Sequence, residues 1–284
     1  MLTNTTRGII TVKQLRFLLI ISIFFSISWN GYGNGITKEN RNSLDHAFTL
    51  LLNISETPNF HQRDMLHASY DQFVDALVEK KIRWNNDKRF LEHLFYKVHR
   101  KYLKKYVAYQ SFQELFDYGT YGCLTGTALY AFLLSELGYE YEIIETNYHM
   151  FLLVHAGGKR YLMESTDPFA GFEYKSAEIE KRISAAQEQN KTGGKYHTFS
   201  YNIYRSISYD DLIGLQYYNT AINAYNKGKL GLALYCLNES ARLNQSERIK
   251  EFLHLMIDSV DNQLVLQNAI LKLDELSDYL VIAD

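Results

Sequence analysis

Three residues in the middle of the chain have the types, order and spacing that thiol-based acyl transfer requires. Cys123 follows Gly119-Thr120-Tyr121-Gly122 and opens a run that stays apolar or small almost to Leu137, where Gly138 closes it. Such a run reads as a buried helix with a glycine C-cap, with Cys123 in its first turn. The first turn of a helix carries unpaired N–H groups and partial positive charge. Both favour a thiolate, the nucleophilic form of the side chain. His149 comes 26 residues later, at the first position of an apolar strand, and Asp167 a further 18 residues on, at the end of the next strand. A thiol nucleophile needs a base, and the base needs an orienter. The order assigns Cys123 as nucleophile, His149 as base and Asp167 as orienter. His155 shares a strand face with His149 but lies at the far end of the strand, which makes it a poor competitor.

Acyl transfer also needs donors for the oxyanion. The backbone N–H of Cys123 is one candidate. Gln113, with Gln110 beside it just upstream of the glycine turn, is a second; the same glutamines read equally as surface residues of a short helix. Other chemistries lack their signatures. There is no CxxC, HxxxH or HExxH spacing for a metal, and no Walker loop, GxGxxG or GxSxG. No metal and no cofactor are expected. A formal net charge of -2 gives no basis for bulk nucleic-acid binding.

The elements that must position these residues are legible at three levels. Around the site, Tyr139–Thr146 reads as a strand and Asn147-Tyr148 as a break. His149–His155 is a second strand, and Ala156-Gly157-Gly158-Lys159 a tight turn into Arg160–Ser165, which together make a hairpin. Thr166-Asp167-Pro168-Phe169-Ala170-Gly171-Phe172 leaves the sheet as a turn. Upstream, residues 42–118 are helical in pattern. Asn42 or Ser43 is the cap expected for a first helix through Leu52. Leu66, Tyr70, Phe73, Val74, Leu77 and Val78 form one apolar stripe; Phe90, Leu91, Leu94, Phe95, Val98 and Tyr102 form another. Lys97, Arg100, Lys101, Lys104 and Lys105 fall on the polar face of the latter, as a solvated helix face would have them. Downstream, Ser176 opens a helix through Ile179 and Ile183. Ser208-Tyr209-Asp210-Asp211 fits a capping box, and helical patterns then run almost to the C-terminus. Tyr217, Ala221, Gly228, Ala233 and Leu237 fall close to tetratricopeptide-repeat positions, with one degenerate follower between Glu247 and Tyr279. A plain helical hairpin explains the same spacing. So short a segment is expected to dock on the main domain.

The N-terminus reads as a leader. Arg7, Lys13 and Arg16 precede the twelve apolar or small residues Phe17–Ser28, and Gly31-Tyr32-Gly33 supplies small residues for cleavage after Gly33. Twelve residues fall short of the ~20 that span a bilayer, which points to a secretory signal peptide over 1–33. An uncleaved N-terminal anchor is the alternative. The expectation is an exported protein, periplasmic or secreted, with no membrane span after cleavage. With only Cys123 and Cys236 in the chain, a disulfide framework is excluded.

Gly122-Cys123, Leu137-Gly138, His149 and Asp167-Pro168 together resemble the core of the transglutaminase-like superfamily of papain-related thiol enzymes, over roughly Phe90 to Phe172. Asp167-Pro168-Phe169-Ala170-Gly171, with repeat-like helices behind it, also resembles a bacterial branch that joins this core to tetratricopeptide repeats. The resemblance implies an α+β fold in which a buried Cys helix packs on an antiparallel sheet, and a Cys123-His149-Asp167 triad. It divides the chain into a transglutaminase-like domain at 34–207 and a repeat-like helical segment at 208–284. Tyr121-Gly122 stand where cross-linking members carry a tryptophan beside the nucleophile, so the resemblance points to a peptidase or amidase acting on a peptide or protein substrate. The alternative it carries is a catalytically inactive scaffold that binds protein partners through its cleft and C-terminal helices.

Overall fold

The computed structural model describes residues 38–55, 63–147, 149–192, 203–244 and 246–259. In chain order these form α1 (Lys38–Asn53), α2 (Arg63–Trp84), α3 (Asp87–Lys101), β1 (Lys105–Tyr106), α4 (Phe112–Tyr118), β2 (Thr120–Tyr121) and α5 (Cys123–Glu136). There follow β3 (Glu140–Thr146), β4 (Met150–Ala156), β5 (Lys159–Met163), β6 (Phe172–Glu173), α6 (Ser176–Thr192), β7 (Tyr204–Ile207), α7 (Tyr209–Asn226), α8 (Leu230–Leu243) and α9 (Glu247–Ser259). The leader expected at 1–33 and the part of the expected repeat follower beyond Ser259 lie outside the described residues. Among the described residues no helix is long and apolar enough to cross a membrane.

The architecture is α+β, as expected. An antiparallel sheet of order β6-β5-β4-β3-β7 is covered on both faces. Helix α5 lies against β3 and β4 on one face. On the other, α6 sets Ile179 and Ile183 among Ile144, Phe151, Leu153 and Leu162. A helix apolar all round needs neighbours all round, and α5 has them: every residue from Leu124 to Leu134 is buried. The one phenol in that run, Tyr130, donates to the Phe95 carbonyl at 2.7 Å, which satisfies its hydroxyl. Gly138 ends the helix at φ +68, as expected of a C-terminal glycine. The β4–β5 turn places Gly157 and Gly158 both at positive φ, the geometry a two-residue hairpin loop demands.

Local signals hold where side chains can close them. Asn86 caps α3 by accepting from the Arg89 N–H at 2.9 Å. Ser208 and Asp211 form the reciprocal capping box of α7. Helix α1 differs from expectation: it starts at Lys38, upstream of Asn42 and Ser43. No Gly or Pro interrupts Lys38–Ser43, so the helix propagates back through the candidate cap. Val78 also differs, being exposed at the edge of the α2 stripe, while Tyr70, Phe73, Val74 and Leu77 are buried.

The helices after residue 208 pack on the same core. The Tyr209 ring stacks on Phe132 of α5 at 4.8 Å, and its hydroxyl meets those of Tyr141 and Ser135 at 2.6 and 3.1 Å. Helices α7 and α8 pair as a hairpin around Gly228, which sits at φ +71.

Candidate active site

Three backbone devices converge on Cys123. The segment before it is laid down by a parallel pairing of β1 with β2, in which Tyr106 lies opposite Tyr121 and the Val107 N–H donates to Tyr121 O at 2.8 Å. Gly122 is the N-cap. A Cβ there would approach the Val107 carbonyl at 3.3 Å, and the Gly122 N–H is taken up by Thr125 Oγ1 at 2.9 Å. Cys123 then occupies the first helical position of α5, half-buried and not bridged to Cys236. Its backbone N–H belongs to the set that has no acceptor within the helix.

His149 lies just beyond the last paired residue of β4, held by a short turn. Thr146 N–H donates to His149 O at 2.9 Å, and Thr146 Oγ1 bridges the His149 N–H and carbonyl, each at 3.0 Å. The clamp fixes the backbone that carries the imidazole, on which Cys123 acts as a hydrogen-bond and charge partner. Nε2 is 3.0 Å from Glu164 Oε1 and 3.4 Å from Thr166 Oγ1. Burial works against the imidazolium. The hydrogen bonds to Cys123 and Glu164, and the negative charges behind them, outweigh it and hold His149 up to about 9. The same contact holds the Glu164 carboxyl below its ordinary range against the effect of its own burial, with Thr166 and Arg182 assisting. Arg182, from α6, lies 3.9 Å from Glu164 and donates to Ala170 O at 2.8 Å.

Asp167 is not brought to the imidazole. Its Oδ1 accepts from the Phe169 and Ala170 N–H groups at 3.1 and 2.8 Å, which closes the turn after β5. In that turn Gly171 N–H donates to Asp167 O, and Glu164 N–H donates to Gly171 O at 2.8 Å. Asp167 thus shapes the loop that presents Glu164. The acid on His149 is Glu164, which sequence reading missed. The strand register would have found it. β4 pairs β5 with Leu152 opposite Met163 and Leu153 opposite Leu162. Extended past the ladder, that register sets Thr166 opposite His149 and Glu164 one diagonal step away, within reach of a long side chain.

Gln113 is buried in α4, where its Nε2 donates to Asp117 at 3.0 Å. Gln110 donates to Thr120 Oγ1 at 3.2 Å. Tyr106 is a further residue of the site. Its phenol is half-exposed and is pushed up by burial first and by the charge of Cys123 next. Ser165, between Glu164 and Thr166, points to the other side of the strand. Its Oγ donates to Cys123 O at 3.5 Å, and a Cβ on Gly126 would lie 2.7 Å from the Ser165 Oγ. The end of β5 therefore packs directly on the first turn of α5. His155, at the opposite end of β4, pairs with Glu142 at 2.9 Å.

The arrangement can hold a proton between a thiol and an imidazole, stabilise the imidazolium with a carboxylate, and offer a helix N-terminus to developing negative charge. Compared with protein-family models, curated proteins and solved structures, the chain gives no match.

Proposed function

We propose that this protein is a cysteine acyl-transfer enzyme of transglutaminase-like type, acting as a peptidase or amidase. The observation that carries the reading is the contact chain Cys123–His149–Glu164, closed at 3.0 Å on its acid side and built on a helix N-terminus. A Cys helix packed on an antiparallel sheet, with the base on the adjoining strand, supports it further.

In this reading His149 takes the Cys123 proton and the thiolate attacks the amide carbonyl carbon. The carbonyl oxygen becomes an oxyanion held by the Cys123 N–H. As the C–N bond breaks, the imidazolium gives its proton to the leaving amine, and a thioester remains on Cys123. His149 then takes a proton from water, hydroxide adds to the thioester, and the carboxylic acid leaves with the thiol restored. Glu164 keeps the imidazole oriented and favours its charged form in both halves. Asp167 shapes the Glu164 loop. The leader-like residues 1–33 support export, and the tail after Ser208 supports a protein partner or substrate.

The presence of nucleophile, base and acid in one contact chain favours catalysis over a binding-only scaffold. The test is a peptide and amide library, profiled with an alkylating activity probe beside Cys123→Ala. Turnover and labelling that vanish together in Cys123→Ala support the enzyme. A protein that neither labels nor turns over any library member, yet retains protein partners through its cleft, is the scaffold.

A further inference from the structure

A side chain of helix α9, the last of the described elements, reaches the turn that carries His149. Arg248 Nη2 donates to Thr146 O at 2.7 Å and to Asn147 O at 3.1 Å. These carbonyls end β3 and open the turn, where the sheet ladder no longer supplies donors. Thr146 is the residue that clamps the His149 backbone, with hydrogen bonds of 2.9 to 3.0 Å. The Asn147 side chain is engaged as well, its Oδ1 accepting from Ile203 N–H at 2.6 Å. Arg248 is itself anchored: its Nη2 lies 3.4 Å from Glu145 Oε1, and the Glu145 side chain has no exposure to solvent. Arg205 holds the other oxygen of that carboxylate at 2.9 Å, and Asp211 and Asn244 hold Arg205.

We propose that Arg248 is a positioning residue for His149: its guanidinium, anchored on Glu145, pins the 146–147 carbonyls so that the imidazole stays between Cys123 and Glu164. The inference rests on the reading of His149 as the catalytic base. It ties the site to α9 through the two hydrogen bonds that Arg248 gives to the carbonyls of Thr146 and Asn147. Both carbonyls are served by the one Nη2; a lysine would keep charge and N–H donors near Glu145, but on a flexible stem without the planar guanidinium that presets their direction. The charged groups facing the imidazole are Cys123 from α5 and Glu164 from the end of β5, with Arg182 of α6 behind Glu164. Arg248 acts on the backbone and not on the ring.

The test uses the full chain and four variants: Arg248→Met, Arg248→Lys, Arg205→Met and His149→Ala. Arg205 shares Glu145 but touches neither carbonyl, so it controls for loss of the buried ion pair alone. The readouts are the NMR titration of the His149 ring, the iodoacetamide alkylation rate of Cys123 at pH 7, and the thermal midpoint. Arg248→Met should slow alkylation about tenfold or more and lower the His149 midpoint by about one unit or more, with Arg248→Lys between it and wild type. Arg205→Met should lose a comparable thermal midpoint with both site readouts held. Should Arg248→Met fail to fold, Arg248→Lys decides on the same readouts. An unmoved His149 titration in both Arg248 variants, or an equal shift in Arg205→Met, overturns the proposal. If His149→Ala alkylates like wild type while Arg248→Met still moves the titration, the thiol-enzyme reading fails and the positioning role stands.

Discussion

At the scale of single residues, the claim is that Glu164, and not Asp167, sets the charge on His149. Glu164→Gln removes the carboxylate from Nε2, so the imidazolium loses a partner and its midpoint falls from about 9. Hydrolysis that uses the imidazolium as acid declines as pH rises through that midpoint. The high-pH limb of kcat/KM should therefore lie near 9 in wild type and move to lower pH in Glu164→Gln, with a loss of about a hundredfold at pH 8. Asp167→Asn keeps an oxygen for the Phe169 and Ala170 N–H groups and should leave the limb in place. A pH profile of both variants checks this; a limb that follows Asp167 and ignores Glu164 would reverse the assignment. Residue types and order pointed to Cys123 and His149, because a cysteine after a glycine turn and a histidine at a strand start need little tertiary information. The acid was less legible. Asp167 has the turn-forming character of an Asx residue, which drew it into the loop, and only the β4–β5 register reveals that Glu164 lies diagonal to His149.

At the scale of elements, the site depends on close backbone approach at the end of β5. A Cβ on Gly171 would lie 2.2 Å from Glu164 O and 2.4 Å from Asp167 O. Backbone cannot yield as a flexible side chain can. Gly171→Ala should therefore destabilise by about 1–3 kcal/mol and lower turnover by displacing Glu164, measured by urea unfolding and by kcat with KM held. Unchanged stability and kcat would mean that the Asp167–Gly171 turn does not carry Glu164. Helix α5, the hairpin and the capping box at Ser208 were all legible, since periodicity, glycine placement and local caps encode them. The α1 start and the exposure of Val78 were not, because propagation and burial at a stripe edge are decided by tertiary neighbours. The hydrogen bonds from α9 to the 146–147 turn were also beyond reach: a contact across about a hundred residues leaves no local pattern.

At the scale of the molecule, three histidines set opposite pH trends. Burial holds His99 down to about 4 against the pull of Asp167, and burial with the charges of Lys80, Lys97 and Arg100 holds His93 down to about 4. Both bind a proton more readily unfolded, so their contribution is full above 6.5 and is lost as pH falls toward about 4. His149 is raised, so its contribution is full below 6.5 and is lost as pH rises through about 9. Stability should peak near pH 6.5, read as the urea midpoint against pH. Neither ring nitrogen of His99 has a hydrogen-bond partner, and the ring packs against Phe95 at 4.6 Å. His99→Leu should then be neutral or stabilising by up to about 1 kcal/mol and should flatten the acid limb. A steeper acid limb in His99→Leu would show that His99 binds its proton in the folded state.

The central claim is that His149 activates Cys123, and the most direct measurement is the iodoacetamide alkylation rate of Cys123 at pH 7 in wild type and in His149→Ala, read by peptide mass spectrometry. An imidazolium beside the sulfur predicts wild type faster by about tenfold or more. Equal rates in the two proteins would contradict it.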